Sequence, residues 1–109
     1  MRLLTKVIFI WALTVTIANA GDSSNSMITR IHPDSRGVFF FHTDTEHTDI
    51  PACHNQGGRW AINPDTSSGK SMIATVLTAY SLGKRITVSG WGICDIWADT
   101  ESVRYLYTE

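Results

Sequence analysis

Outside its first 20 residues the sequence has no apolar run near the length of about 20 residues needed to span a bilayer, which argues against a membrane-embedded chain. It has no excess of positive charge. With the leader's Arg2 and Lys6 set aside, the nine Lys and Arg fall to seven, against ten Asp and Glu. The seven are scattered from Arg30 to Arg104. Nucleic-acid binding calls for basic residues gathered on one face, and a polybasic membrane-surface patch is missing as well. Cysteine is scarce, with only Cys53 and Cys94, so a disulfide-dense framework and a CxxC metal knuckle are both excluded. HExxH, EF-hand and GxSxG patterns are absent too. No repeat, linker or low-complexity segment divides the chain.

Residues 1–20, MRLLTKVIFIWALTVTIANA, have the layout of a secretory signal peptide. Arg2 and Lys6 supply the positive start, VIFIWALTVTI the apolar stretch, and Ala18-Asn-Ala20 the small-residue cleavage site. The expectation is a secreted or periplasmic protein whose mature form is one small domain, residues 21–109, or 109 − 20 = 89 residues. In an oxidising compartment two cysteines are read as one disulfide. Bridging Cys53 to Cys94 closes a loop of about 40 residues, worth roughly 4 kcal/mol in the chain-entropy model.

The element pattern is mainly β with one helix. After a polar start, GDSSNS, strands are expected over Met27–His32, Val38–His42 and Arg59–Ile62, with Pro33–Gly37 as a turn. Asn63–Ser68 is a helix entry. Met72, Ile73, Val76, Leu77 and Tyr80 form an apolar stripe to about Leu82, and Gly83 is the stop. Arg85–Gly90 alternates cleanly as a strand, and Trp91–Trp97 continues extended. Glu101–Thr108 is the last strand, with Val103, Tyr105 and Tyr107 on one face. A helix between strands 3 and 4 is the order of a small OB-fold-like five-stranded barrel. The rival is an α+β antiparallel sheet with one packed helix.

Chemistry concentrates in HTDTEHTDIPACH, His42–Cys53–His54, which holds three of the four histidines. His42, Asp44 and Glu46 share one side if the strand continues, and make the best trio for a metal. Zinc, however, needs three or four ligands converging from a firm scaffold. A polar connecting loop held by the disulfide is the preferred reading, with no metal, no cofactor and no catalytic residue. The acid pairs Asp95/Asp99 and Asp99/Glu101 are read as turn and surface residues rather than an acid/base couple. Aromatics are dense, and Trp91, between two glycines, is the best candidate for an exposed contact residue. The tract Phe39–Phe41 places aromatics on both faces of its strand, one for the core and one for an oligomer contact.

The stretch GKSMIATVLTAYSLGKRITVSGWGIC resembles the B subunits of subtilase-cytotoxin-type AB5 toxins, a group that includes the typhoid-toxin sugar-binding subunits. The ending CDIWADTESVRYLYTE is similar to small secreted bacterial proteins that look related to them. The resemblance implies an OB-type fold, a homo-pentameric ring, a partner A subunit and recognition of sialylated cell-surface glycans. It also implies sugar contacts from a serine ahead of the first strand and a nearby acid, here Ser24 or Ser26 with Asp22. The expected function is that of a non-catalytic glycan-binding module using Asp22, Ser24, Ser26 and Trp91. The alternative is a cell-envelope interaction or inhibitor protein with no sugar ligand.

Overall fold

A computed structural model describes residues 20–109. The expected leader, Ala20 excepted, lies outside the described residues. Six strands and one helix follow in the order β1 (Asp22–Ser26), β2 (Ile28–Asp34), β3 (Val38–Thr43), β4 (Arg59–Ile62), α1 (Ser67–Leu82), β5 (Ile86–Gly90) and β6 (Val103–Thr108). They form two three-stranded antiparallel sheets, β1–β5–β6 and β2–β3–β4. The expectation of five strands is corrected to six, the helix lies between strands 4 and 5, and the sheets do not close into a barrel.

The additional strand is β1, which the polar start GDSSNS conceals. Its inward residues are Ser23 and Ser26, both buried, so no hydrophobic alternation marks it. Ser23 is held instead by polar contacts, its Oγ accepting a hydrogen bond of 3.1 Å from the Trp60 indole N–H. At Asn25 the backbone turns left-handed, φ 47°. The chain then passes from one sheet to the other at Met27, whose carbonyl accepts from Asp44 N–H at 2.9 Å. Between the sheets, β4 touches the run into β6 at a single parallel bridge, Ala61 with Ser102.

Helix α1 starts where its capping residue allows. Thr66 Oγ1 accepts from Gly69 N–H at 2.9 Å, satisfying one of the free donors of the first turn. It ends at Gly83, left-handed at φ 63°, with cap N–H bonds to the Ala79 and Tyr80 carbonyls, as a glycine C-cap does. The helix packs against β2, β4 and β6 through Met72, Ile73, Val76 and Ala79. The expected stripe is therefore corrected by a rotation: Leu77 and Tyr80 face outward.

The main core gathers Phe39, Phe41, Trp60, Ile62, Val88 and their neighbours between the helix and the two sheets. A second, smaller core lies on the other face of β3, where Val38, Phe40 and Ala61 meet Ile96 and Trp97. Phe40 and Trp97 make an edge-to-face pair with centroids 5.5 Å apart, a favoured aromatic geometry. Trp91–Trp97 is thus a run of turns folded over the sheet rather than an extended strand. It covers the β3 face on which an oligomer contact was expected. At β6 a bulge opposite Ser89 and Gly90 separates Val103, which points in, from Tyr105 and Tyr107, which point out. Among the described residues no helix is long and apolar enough to cross a membrane.

Candidate functional site

The His42–His54 stretch leaves β3 and folds back along the β1–β2 junction. Met27 N–H donates to Asp44 Oδ1 at 2.9 Å, and Thr48 N–H donates to the Asp22 carbonyl at 2.9 Å. The Cys53–Cys94 disulfide, Cα–Cα 6.1 Å, ties its far end to the segment after β5. With both ends held, the stretch carries His47 and His54 under the sheet instead of presenting them to solvent.

There the rings stack in a column of Trp60, His47 and His54. The centroid of His47 lies 3.6 Å from Trp60 and 3.8 Å from His54. Glu101 closes the cluster from the other end of the chain. Its Oε1 lies 2.7 Å from His47 Nδ1, and both side chains are 0 % exposed. The second nitrogen, Nε2, lies 2.8 Å from the Arg59 carbonyl. Both ring nitrogens are thus engaged, one by a carboxylate and the other by a backbone carbonyl. The His47 ring lies flat against the indole face.

His54 is bonded at both nitrogens as well. Its Nδ1 accepts from Glu101 N–H at 2.9 Å, which leaves Nε2–H to donate to the Gly57 carbonyl at 2.7 Å. Burial pushes His54 below its ordinary value, and the charge of His47 adds to the effect. For Glu101 burial acts upward. Hydrogen bonds from His47 and from the N–H groups of Gly21 and Gly92 outweigh it and hold the carboxyl below its ordinary value. Its Oε2 receives both backbone donors, Gly21 at 2.9 Å and Gly92 at 3.0 Å. Among the described residues no buried side-chain nitrogen or oxygen lacks a partner.

A His–Glu couple can serve acid–base chemistry only if one imidazole nitrogen is free for a substrate. Here both are engaged and neither side chain meets solvent. The cluster pins the two sheets, the loop and the segment at Gly21 together. Beside it Arg59, stacked 4.3 Å over Phe40, donates to Asp99 Oδ1 at 2.6 Å and to Thr100 Oγ1. Asp95 accepts from the Ser102 hydroxyl. Asp95, Asp99 and Glu101 therefore each have a separate partner. Glu46 is exposed while Asp44 is bonded to Met27, and among the described residues no group of three or more His, Cys, Asp and Glu gathers as metal ligands would.

The remaining sequence candidates lie on or near the outer face of β1–β5–β6. Cross-strand register puts Asp22, Ser89 and Tyr105 in one row and Thr87 beside Tyr107 in the next. Ser24 is exposed at the β1 edge. Ser26 is buried and spends its hydroxyl on the Ser24 carbonyl and the Thr45 hydroxyl. Trp91 is 54 % exposed just past β5, with the Arg104 guanidinium 4.9 Å above its ring. Tyr105 and Tyr107, half-exposed, stand nearly parallel with centroids 6.4 Å apart. The structure thus brings Asp22 into line with Tyr105, with Tyr107 in the neighbouring row, two tyrosines that sequence reading left out of the site. Their two-residue spacing was the available clue, obscured by the bulge that separates them from Val103. Comparison with protein-family models, with curated proteins and with solved structures finds no match for this chain.

Proposed function

We propose that this protein is a secreted, non-catalytic binding module that recognises glycans on the outer face of β1–β5–β6. The observation that carries the reading is the row Asp22–Ser89–Tyr105 flanked by Tyr107. The Asp22 carboxylate and the tyrosine hydroxyls can fix a sugar's orientation while two exposed rings supply contact area for its C–H face; Ser89, itself buried, only links them in register. Trp91 extends the aromatic surface at the end of the sheet, and Ser24 the polar one; Ser26 is too buried to join them.

An OB-type arrangement supports the same reading. If β1 and β2 are taken as one strand bent at Met27, its two arms border β3 and β5. The order of neighbours then runs β3, β4, the Ala61–Ser102 bridge, β6 and β5. That is the cyclic order of a partly open OB barrel with one link reduced to a single bridge. In its fuller form the reading includes a homo-pentamer, sialylated glycans as ligands and an A subunit as partner.

A glycan array probed with the secreted, oxidised protein, with light scattering on the same sample, is the test. Selective binding that Tyr105→Ala and Trp91→Ala abolish without unfolding supports the reading, and a pentameric mass supports its fuller form. A monomer that binds no glycan sinks it.

One observation favours a second reading, an envelope protein that contacts another protein without sugar. Leu77, Tyr80 and Leu82 are all exposed on α1, more apolar surface than a solvated helix needs. Capture of one defined envelope partner, lost on Leu77→Ser and Tyr80→Ser, separates this reading from the first.

A further inference from the structure

The buried cluster contains a backbone nitrogen whose chemistry depends on processing. Gly21 N–H donates to Glu101 Oε2 at 2.9 Å, and Gly21 is itself buried while Ala20 is exposed. A side chain at Gly21 has no room: a Cβ there would lie 2.6 Å from Glu101 Oε1 and 2.7 Å from the Thr48 carbonyl. The chain therefore threads its bare backbone against a carboxylate at the residue that follows the expected cleavage site Ala18-Asn-Ala20.

We infer that leader removal turns this nitrogen into a buried ammonium that forms an ion pair with Glu101, so that export maturation completes the cluster. A signal peptidase of the exporting cell hydrolyses the Ala20–Gly21 amide. Water adds across the C–N bond, Ala20 departs with the carboxylate, and the Gly21 amine takes a proton from solvent. Cleavage takes place during export, before the fold closes over the nitrogen. The uncleaved chain offers Glu101 a neutral amide donor; the cleaved chain offers a charged one, which makes the shorter and stronger bond.

The charges around the carboxylate fit this role. Oε1 faces His47, and Oε2 faces Gly21 together with the neutral Gly92 N–H, so His47 and the Gly21 nitrogen each have their own oxygen. His54 faces the far side of His47 and is held neutral by its two hydrogen bonds. Arg59 turns only its carbonyl to the cluster and its guanidinium to Asp99. The inference is independent of any ligand the protein binds and rests on the leader assignment alone.

The experiment uses the full-length chain secreted from a bacterial host with its own leader. Intact mass and amino-terminal sequencing are expected to show that the product begins at Gly21. Glycine labelled with ¹³C then allows the Gly21 α-carbon to be followed by NMR as pH is raised. The amine is expected to titrate at least one pH unit above the ordinary range of about 7.7–8.0, a tenfold or greater preference for the charged form. Glu101→Gln is expected to move the midpoint back toward that range. Should that variant not fold, the wild-type midpoint decides alone. A product that begins elsewhere, or a Gly21 midpoint at or below the ordinary range, overturns the inference.

Discussion

Replacing Glu101 with alanine removes, in one change, the partner of three groups: the buried His47 Nδ1 and Gly21 N–H, and the part-buried Gly92 N–H. Breaking a buried charged pair from one side costs about 3–5 kcal/mol, and each orphaned N–H adds about 1–3 kcal/mol. Water admitted to the vacated space recovers part of this, so a loss of about 4 kcal/mol or more is expected from Glu101→Ala. A small domain has about 5–15 kcal/mol in total. The variant is therefore left near the edge of folding, with a melting point lower by about 15–30 °C. Glu101→Gln is the informative partner. Its carbonyl can still accept from Gly21 and Gly92, and its NH₂ can donate to a His47 that keeps only its Nε2 proton. A loss of about 1–2 kcal/mol is expected there. Urea denaturation at neutral pH with the disulfide intact measures both, as a shift of midpoint at constant slope. An alanine variant within about 1 kcal/mol of the parent would refute the argument that these donors depend on Glu101. Equal losses in the two variants would refute the acceptor account and leave the negative charge itself as the stabilising element.

Three other outcomes follow from the same geometry. Gly90→Ala would place a Cβ 1.9 Å from Glu101 Oε2 and 2.8 Å from the Trp60 ring; a loss of about 3 kcal/mol is expected from the forced repacking, and an unchanged urea midpoint would contradict it. Replacing Cys53 and Cys94 together by serine opens a link across 41 residues; the expected loss is about 4 kcal/mol in the chain-entropy model, read from the same denaturation curves. Stability should also fall as pH is lowered from about 7. His54 and His42 both lie below the ordinary value of 6.5 in the folded chain, each chiefly through burial. The unfolded chain therefore takes up protons first, and stability declines from that value down to the folded ones. His54→Asn keeps an acceptor near the place of Nδ1 and should flatten this decline, as His42→Asn should to a smaller degree. An unchanged slope in the His54 variant would remove His54 from the account. Glu101, lowered by its partners, acts at more acidic pH in the same sense: its contribution is present above the unfolded carboxyl range and lost as pH falls through the folded one.

What sequence reading recovers here is local, and what it misses is held together across distance. The helix entry within Asn63–Ser68, the stop Gly83 and the strands at Val38, Arg59 and Ile86 are each determined by a few adjacent residues, and they stand within a residue or two of expectation. The disulfide also follows from a simple count. By contrast β1 is invisible to hydrophobic periodicity because its inward residues are serines, stabilised by partners such as Trp60, 37 residues away. The outward turn of Leu77 and Tyr80 depends on which helix face the sheets present, and no helical period contains that. The His47–Glu101 couple joins residues 54 apart, so crowding in HTDTEHTDIPACH pointed to the right stretch but not to the right partner. One class of residue did carry the missing information. Gly21 and Gly90 leave no space for a side chain because Glu101 lies against both, and Gly92 donates its N–H to the same carboxylate. Glycines flanking Trp91 look like flexible hinges when only their neighbours in sequence are weighed. Read as places where another group comes close to the backbone, they ask which group that is. Among the described residues Glu101 is the acid that converges on all three, and its closeness is the reason for Gly21 and Gly90, while Gly92, at φ 75°, also answers to the turn.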